Sequence, residues 1–299
     1  MNLKRKEIID AAHQLFIEKG FATTSIQDIL NEAKIAKGTF YNYFNSKNEC
    51  LMAILEYVRQ ESDQERMEIA FGKNKDNEQL FIDQIAIRLN TDKRHNLMGL
   101  FSSVSFSEDE DLRTFMIKYH LKEIHWVAKR LTEIFGPETE RYALDHSIIF
   151  IGIIQHFLYV GKMWAQKDMT AEEVISFALN RIKPIIYTQE ESSEVIFGKG
   201  SFSAFKDDTG ENIPEIQNQA LIQLNKLLNK NKKIGRMDPE RADLIEFLKE
   251  ELDRDKPRVL LLEGVLMSLS KSLTETGFEY EISEISSIIW KLIEMIREG

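Results

Sequence analysis

Apolar residues recur along this chain at steps of three and four, and no long two-residue alternation interrupts them. That period predicts helices throughout and an all-α fold. Ile8, Ala12, Leu15 and Phe16 form one stripe over about residues 4–19, and Gly20 supplies a stop. A short second helix follows, with Thr24 as its expected N-cap and Ile26, Ile29, Leu30 and Ala33 on its inner face. After the turn Lys34-Ile35-Ala36, a third short helix spans Lys37 to Tyr43, and Phe40 and Phe44 lie four apart, placed to point inward together. Ser46-x-x-Glu49 spells a capping box for a fourth helix reaching Phe71.

Longer helices are predicted beyond it, over about 78–89, 109–135, 138–166 and 170–187, with 93–107 less regular. Gly136-Pro137 separates two of them, Thr170 and Glu173 cap another, and the acidic run 108–111 leads a helix N-terminus. Residues 188–213 are polar, rich in Gly and Ser and weakly periodic, and read as a linker or irregular surface segment. A second helical block is predicted at 215–231, 239–253, 257–276 and 281–297. Its last hairpin repeats the long-then-short outline of 142–182, either as a duplication or as an unrelated amphipathic pair. The most apolar run, Ser147 to Trp164, approaches a membrane span in length, but Gln155 and His156 sit at its centre. It is expected to be a helix buried on most sides between protein partners, and no membrane is called as a partner.

Composition narrows the class. The 299 residues are 43% hydrophobic, enough for two or three packed cores. The net charge of -10 is uneven: residues 1–59 hold eight Lys/Arg against seven Asp/Glu, which leaves the acidity to the rest. The one cysteine, Cys50, reads as a small buried hydrophobe and suits a reducing cytoplasm. The charged start, MNLKRKEIID, lacks the apolar core of a secretory signal. No nucleophile-base set, dinucleotide loop or metal spacing emerges, so no enzyme, cofactor or metal is expected. GKGS at 198–201 lacks the first glycine of a phosphate loop.

The candidate chemistry lies in AKIAKGTFYNYF, residues 33–44. Helix, three-residue turn and polar-faced helix fit a helix-turn-helix, whose second helix enters a major groove about 12 Å wide. Lys37, Gly38, Thr39, Tyr41 and Asn42 face outward, while Ile35, Phe40 and Phe44 face in. Gly38 keeps the leading end thin, Asn42 can read adenine, and Lys37 can take guanine or a phosphate. Tyr41, Tyr43, Lys47 and the Thr24-Ser25 end of the second helix offer phosphate donors.

Residues 8–55 resemble the DNA-binding domain of the tetracycline-repressor (TetR) family. The likeness is carried by Ala12, Leu15, Phe16, Gly20, Phe21, Thr24, Ile29, Ala33, Ile35, Lys37, Gly38, Thr39, Tyr41, Tyr43, Phe44, Lys47 and Leu51. It implies an N-terminal three-helix reader, a larger all-α ligand-binding and dimerisation domain, a homodimer, a double-stranded DNA operator and a small-molecule effector. It implies phosphate contacts from Tyr41, Tyr43, Lys47 and Thr24, and base-facing Lys37, Gly38, Thr39 and Asn42. Two positions depart from the family. Lys34 replaces the usual turn glycine, which forces a side chain toward positive φ, and can compensate as a phosphate contact. Ala36 replaces the usual Ser or Thr cap of the third helix.

The expected domains are a reader at 1–47, an effector-binding and dimerisation domain at 48–187, a linker at 188–213 and an additional helical block at 214–299, which the resemblance does not cover. Phe101, Phe115, Tyr119, Trp126, His156 and Tyr159 are candidates for an apolar effector pocket. The functional expectation is a cytoplasmic repressor released by a small apolar or amphipathic effector. The alternative is an interaction protein, recruited to DNA or independent of it, whose C-terminal block docks a protein partner.

Overall fold

A computed structural model of the chain describes residues 3–104, 109–165, 169–189, 194–198, 201–202, 212–234, 238–274 and 276–298. These residues form α-helices and no strand: α1 (Leu3–Glu18), α2 (Ile26–Glu32), α3 (Lys37–Tyr41), α4 (Lys47–Ala70), α5 (Glu78–Arg94), α6 (Leu97–Val104), α7 (Glu110–Phe135), α8 (Ala143–Val160), α9 (Ala171–Tyr187), α10 (Ile213–Ile234), α11 (Pro239–Leu252), α12 (Val259–Ser272) and α13 (Glu279–Glu298). The all-α reading holds.

Most ends follow local chemistry. Ser46, Asp109, Thr170 and Asp238 each accept a backbone N–H at the start of α4, α7, α9 and α11, and Glu173 completes a capping box at α9. Gly136 ends α7 at φ 104°, a conformation costly for any residue with a Cβ. Two expectations fail. Residues 93–104 are more regular than the pattern of 93–107 suggests, because Asn96 adopts φ 49° and lets α5 end and α6 begin within three residues, and 105–107 lie outside the described residues. The segment 138–166 is not one helix: a 3₁₀ turn, Pro137–Tyr142, precedes α8 and a π turn, Gly161–Ala165, follows it.

The chain forms two compact units. One comprises Ala11–Val58 and Glu65–Asp207, the other Met1–Asp10, Arg59–Gln64 and Asp208–Gly299. In the first, α5 packs on α9, α9 on α8 and α8 on α7, around Phe81, Ile85, Val127, Leu131, Phe150, Ile175 and Ile182. Described pieces of the irregular segment are pinned to this unit. Ile196 and Phe197 both donate backbone N–H bonds of 2.9 Å to the Asp145 carboxylate, and Phe202 meets the edge of His125.

In the second unit, α10 packs on α11 and α13, and α12 on α11 and α13, as a four-helix bundle. Ile216, Leu224, Leu248, Leu262, Leu269, Ile285 and Ile289 fill it, each buried side chain stabilising by about 1.5–3 kcal/mol. The buried Glu251 carboxylate accepts from the backbone N and guanidinium of Arg258, which fixes the α11–α12 turn and holds Glu251 below the usual carboxylate range.

Within the single chain α8 buries one side, which leaves its other side to the partner that the sequence reading calls for. Phe150 and Ile154 face the core, whereas Ile149, Phe157 and Tyr159 remain 41%, 42% and 44% exposed. Among the described residues this helix packs chiefly on α7 and α9. Pro137–Met163 is the one helical stretch among the described residues long and apolar enough to cross a membrane.

Candidate nucleic-acid interface and effector cavity

The reader is built on buried aromatic side chains. Phe40 is fully buried beneath α3 and contacts Phe44 at 5.8 Å between ring centroids, while Phe16 of α1 meets Phe21 edge-on at 5.0 Å. Ile29 and Leu30 of α2 complete this floor, with Cys50, Leu51, Ile54 and Leu55 of α4, all buried.

The turn between α2 and α3 has an identifiable geometry. Ile35 N–H donates to Leu30 O at 3.0 Å and Lys34 N–H to Asn31 O at 3.3 Å, the paired bonds of a Schellman C-cap. Lys34 occupies its left-handed position at φ 51°, as the missing glycine led us to expect. Ala36 caps α3 without a side-chain bond, also as expected.

One capping expectation is corrected. Ser25, not Thr24, caps α2: Ser25 Oγ accepts from Asp28 N at 3.1 Å, and Asp28 accepts back from Ser25 N at 2.8 Å. These bonds from Ser25 hold the Asp28 carboxyl down at about 2. Thr24 is buried instead, its hydroxyl donating to Gly20 O at 2.8 Å. That side chain is turned away from the surface where a phosphate would lie. Lys47 is also partly committed. Its ammonium donates to Phe21 O and Thr24 O at 2.7 Å each and lies 4.4 Å over the Phe21 ring, and burial lowers its pKa. It clamps the loop before α2 onto the start of α4.

The remaining predicted contacts are all at least partly exposed. Ser25, Lys34, Lys37, Gly38, Tyr41 and Asn42 are exposed, and Thr39 and Tyr43 half-buried. Lys37 Nζ lies 5.9 Å from the Tyr41 ring centre, on the same outward side. A Cβ built on Gly38 meets nothing within 4 Å. Glycine inside a helix costs about 1 kcal/mol relative to alanine, and the chain itself offers no steric reason for it there.

Comparison with known proteins decides what this arrangement is. The family model of bacterial regulatory proteins of the tetR family matches residues 8–54. The HTH-type transcriptional regulator YerO of Bacillus subtilis is 26% identical over 90% of this chain and 91% of its own length. The HTH-type regulator YuxN of the same organism is 22% identical over 91% and 94%. Residues 8–54 thus match the tetR-family DNA-binding region, and the chain is similar to HTH-type transcriptional regulators over nine-tenths of its length. Its fold is that of a TetR-family structure from Syntrophomonas wolfei, matched at a TM-score of 0.50 and 20% identity over 64% of this chain and 98% of the other. Both Bacillus relatives align across nine-tenths of the chain, so their likeness extends into the C-terminal block.

Residues of α5, α6, α7 and α8 line a half-open cavity of about 260 Å³. Phe101 and Tyr119, two of the expected pocket residues, line it, their rings 5.6 Å apart. Phe115 instead lines, with Tyr119, an adjoining cleft that also holds Glu56, Lys118 and Lys122. The other three predicted pocket residues fall elsewhere. Trp126 stacks on the Arg66 guanidinium at 3.9 Å, while His156 and Tyr159 are exposed on α8 and stack on each other.

Aromatic content alone missed the cavity's charged lining. Arg88 and Asp92, four apart on α5, form an ion pair at 3.3 Å. Burial pushes the Asp92 carboxyl up to about 6, against the pull of Arg88. Glu123 accepts two bonds, of 2.6 and 3.1 Å, from the buried Arg66. The legible signal was the i, i+4 pairing of Arg88 and Asp92 alongside the inward-facing Ile85 and Leu89. No group of three His, Cys, Asp or Glu residues among the described ones is placed to hold a metal.

Two contacts join the cavity's walls to the reader. His13 of α1 bonds His95 O at the end of α5 at 3.1 Å, its ring stacked on that of His95. Asn48 near the start of α4 donates to Asp109, the cap of α7, at 2.6 Å.

Proposed function

We propose that the chain is a dimeric transcriptional repressor that reads a DNA operator with α3 and leaves it when a small effector fills the α5–α8 cavity. The observation that carries this reading is the outward face of α3. It presents Lys37, Tyr41 and Asn42 around a Gly38 that the chain does not itself need. In this reading Lys37, Gly38, Thr39 and Asn42 meet bases, and Ser25, Lys34, Tyr41 and Tyr43 meet phosphates. Lys47 acts mainly by holding the loop before α2. The reader spans residues 1–47, the effector and pairing domain 48–187, the linker 188–213 and the additional block 214–299.

The bare side of α8, with Phe177 and Ile185 of α9, serves as the pairing face for a second copy, not as a membrane span. Two copies then present two α3 helices to successive major grooves about 34 Å apart. Effector and operator compete by linkage: α5 and α7 wall the cavity, and their ends touch His13 and Asn48 of the reader. The chain works in the cytoplasm and no catalytic step is assigned to it. Full-length likeness to two regulators speaks against an interaction protein that has lost its DNA role.

Gly38→Ala tests the carrying observation. The free chain should melt at the same temperature or higher. Affinity for a duplex covering its own promoter, read by fluorescence anisotropy, should fall about tenfold or more. Unchanged affinity would remove α3 from the groove.

A further inference from the structure

Arg59 to Gln64, RQESDQ, is an all-polar run in the middle of α4, and such a run on a helix ordinarily faces solvent. Here it does not. The run makes about one and a half turns, so its side chains point in every direction around the axis. None of these residues is exposed, and Ser62 is fully buried. Protein therefore reaches α4 from all sides along this stretch. Arg59–Gln64 and Met1–Asp10 form one compact unit with Asp208–Gly299, whereas the neighbouring parts of α4, up to Val58 and from Glu65, belong to the other unit. We propose that the C-terminal block is a built-in regulator of DNA binding, which grips α4 at Arg59–Gln64 and α1 at its start and so sets how tightly the reader holds its operator. This inference rests on the regulator reading above and gives residues 214–299 a task that the reading leaves open.

A continuous helix carries position along its length. α4 supplies Cys50, Leu51, Ile54 and Leu55 to the floor of the reader, and Arg66 to the two bonds with Glu123 on the cavity wall. Arg59–Gln64 is the piece of helix between them. A block that holds this piece limits the bending and rotation open to the reader on its stalk. A reader held in advance loses less freedom when it docks, so a closed grip favours the operator-bound state. The seam is also of a kind that can open. Arg59, Gln60, Glu61, Asp63 and Gln64 are all engaged with partners, Arg59 and Asp63 with each other. Polar seams within one chain resemble transient interfaces more than cores. The apolar core of α10–α13, with Leu224, Leu248, Leu266 and Ile289, is closed within the block. The block can therefore release α4 without unfolding.

Hydrogen exchange read by mass spectrometry, and promoter binding read by fluorescence anisotropy, test the grip on the full-length chain. Leu266→Ala weakens the bundle core. It should speed exchange at 59–64 about tenfold or more, together with α10–α13, while 26–44 keep the wild-type rate. Glu61→Lys combined with Asp63→Lys reverses two charges of the seam. This double variant should bind the promoter duplex about threefold or more weakly than wild type, although added positive charge by itself favours DNA. Exchange at 59–64 that stays at the wild-type rate while α10–α13 speed up overturns the proposal. So does a double variant that binds the promoter as tightly as wild type or tighter, and this arm decides alone if Leu266→Ala fails to fold. A wild-type chain that ignores the promoter sinks the regulator reading, whereas wild-type binding with neither variant showing its effect sinks the grip alone.

Discussion

Two helical hairpins of this chain share a sequence outline and meet different fates. In α8–α9 the apolar residues outnumber the places the chain offers them: Phe157 is 42% exposed, Ile185 41% and Tyr187 70%. In α12–α13 most of the corresponding supply is consumed internally, because α10 and α11 close a bundle in which Leu262, Leu266, Leu269, Ile285, Ile289 and Leu292 are all but fully buried, with Leu260 and Leu261 left outside it. The periodicity of a helix states that it has an apolar face. Whether a second chain must cover that face depends on how many helices of its own chain reach it.

The largest effect should come from charging the bare hairpin. Phe157→Glu is expected to convert the dimer to a monomer in light scattering and to weaken promoter binding about 100-fold or more, as the second reading helix no longer binds in concert. Leu260, 74% exposed on α12, is the matching control, and Leu260→Glu should leave the oligomeric state unchanged. If both variants stay dimeric, the α8–α9 face is not where copies meet. A smaller effect is expected in the self-contained hairpin, where Leu266→Ala should destabilise the bundle by about 2–5 kcal/mol in denaturant titration. A negligible change there would show that this core is not closed.

The smallest effect concerns the reader. Ser25→Ala removes the cap of α2 and should cost about 1 kcal/mol in thermal or chemical unfolding at neutral pH. Asp28, its partner, has its folded pKa lowered to about 2. Its contribution is therefore complete above the ordinary carboxylate value and lost as pH falls through about 2. The gap between wild type and Ser25→Ala should narrow over that acid range. A gap that does not move with pH would separate the cap from Asp28.

Local features were legible in the sequence, and tertiary ones less so. Phe40 and Phe44 mark the inner side of α3 by spacing alone, and Lys34 signals its left-handed turn by standing where the resemblance calls for glycine. Thr23, Thr24 and Ser25 are three candidate caps in a row, and only Asp28 three residues later singles out Ser25. Asn96 carried a turn signal that the surrounding polar residues obscured. Arg88 and Asp92 look like a solvated pair on one helix, and only the packing of α5 against α7 and α8 turns them into cavity lining. Trp126 has a large ring but serves as a platform for Arg66, a pairing that crosses from α4 to α7 and leaves no trace in spacing.

Analytical ultracentrifugation of the chain with a labelled duplex from its own promoter, at low ionic strength and without effector, tests the central claim most directly. Two chains should sediment on one duplex, with protection of two half-sites about one helical turn, or a multiple, apart. A duplex that sediments alone, or carries a single chain with no paired half-sites, would contradict it.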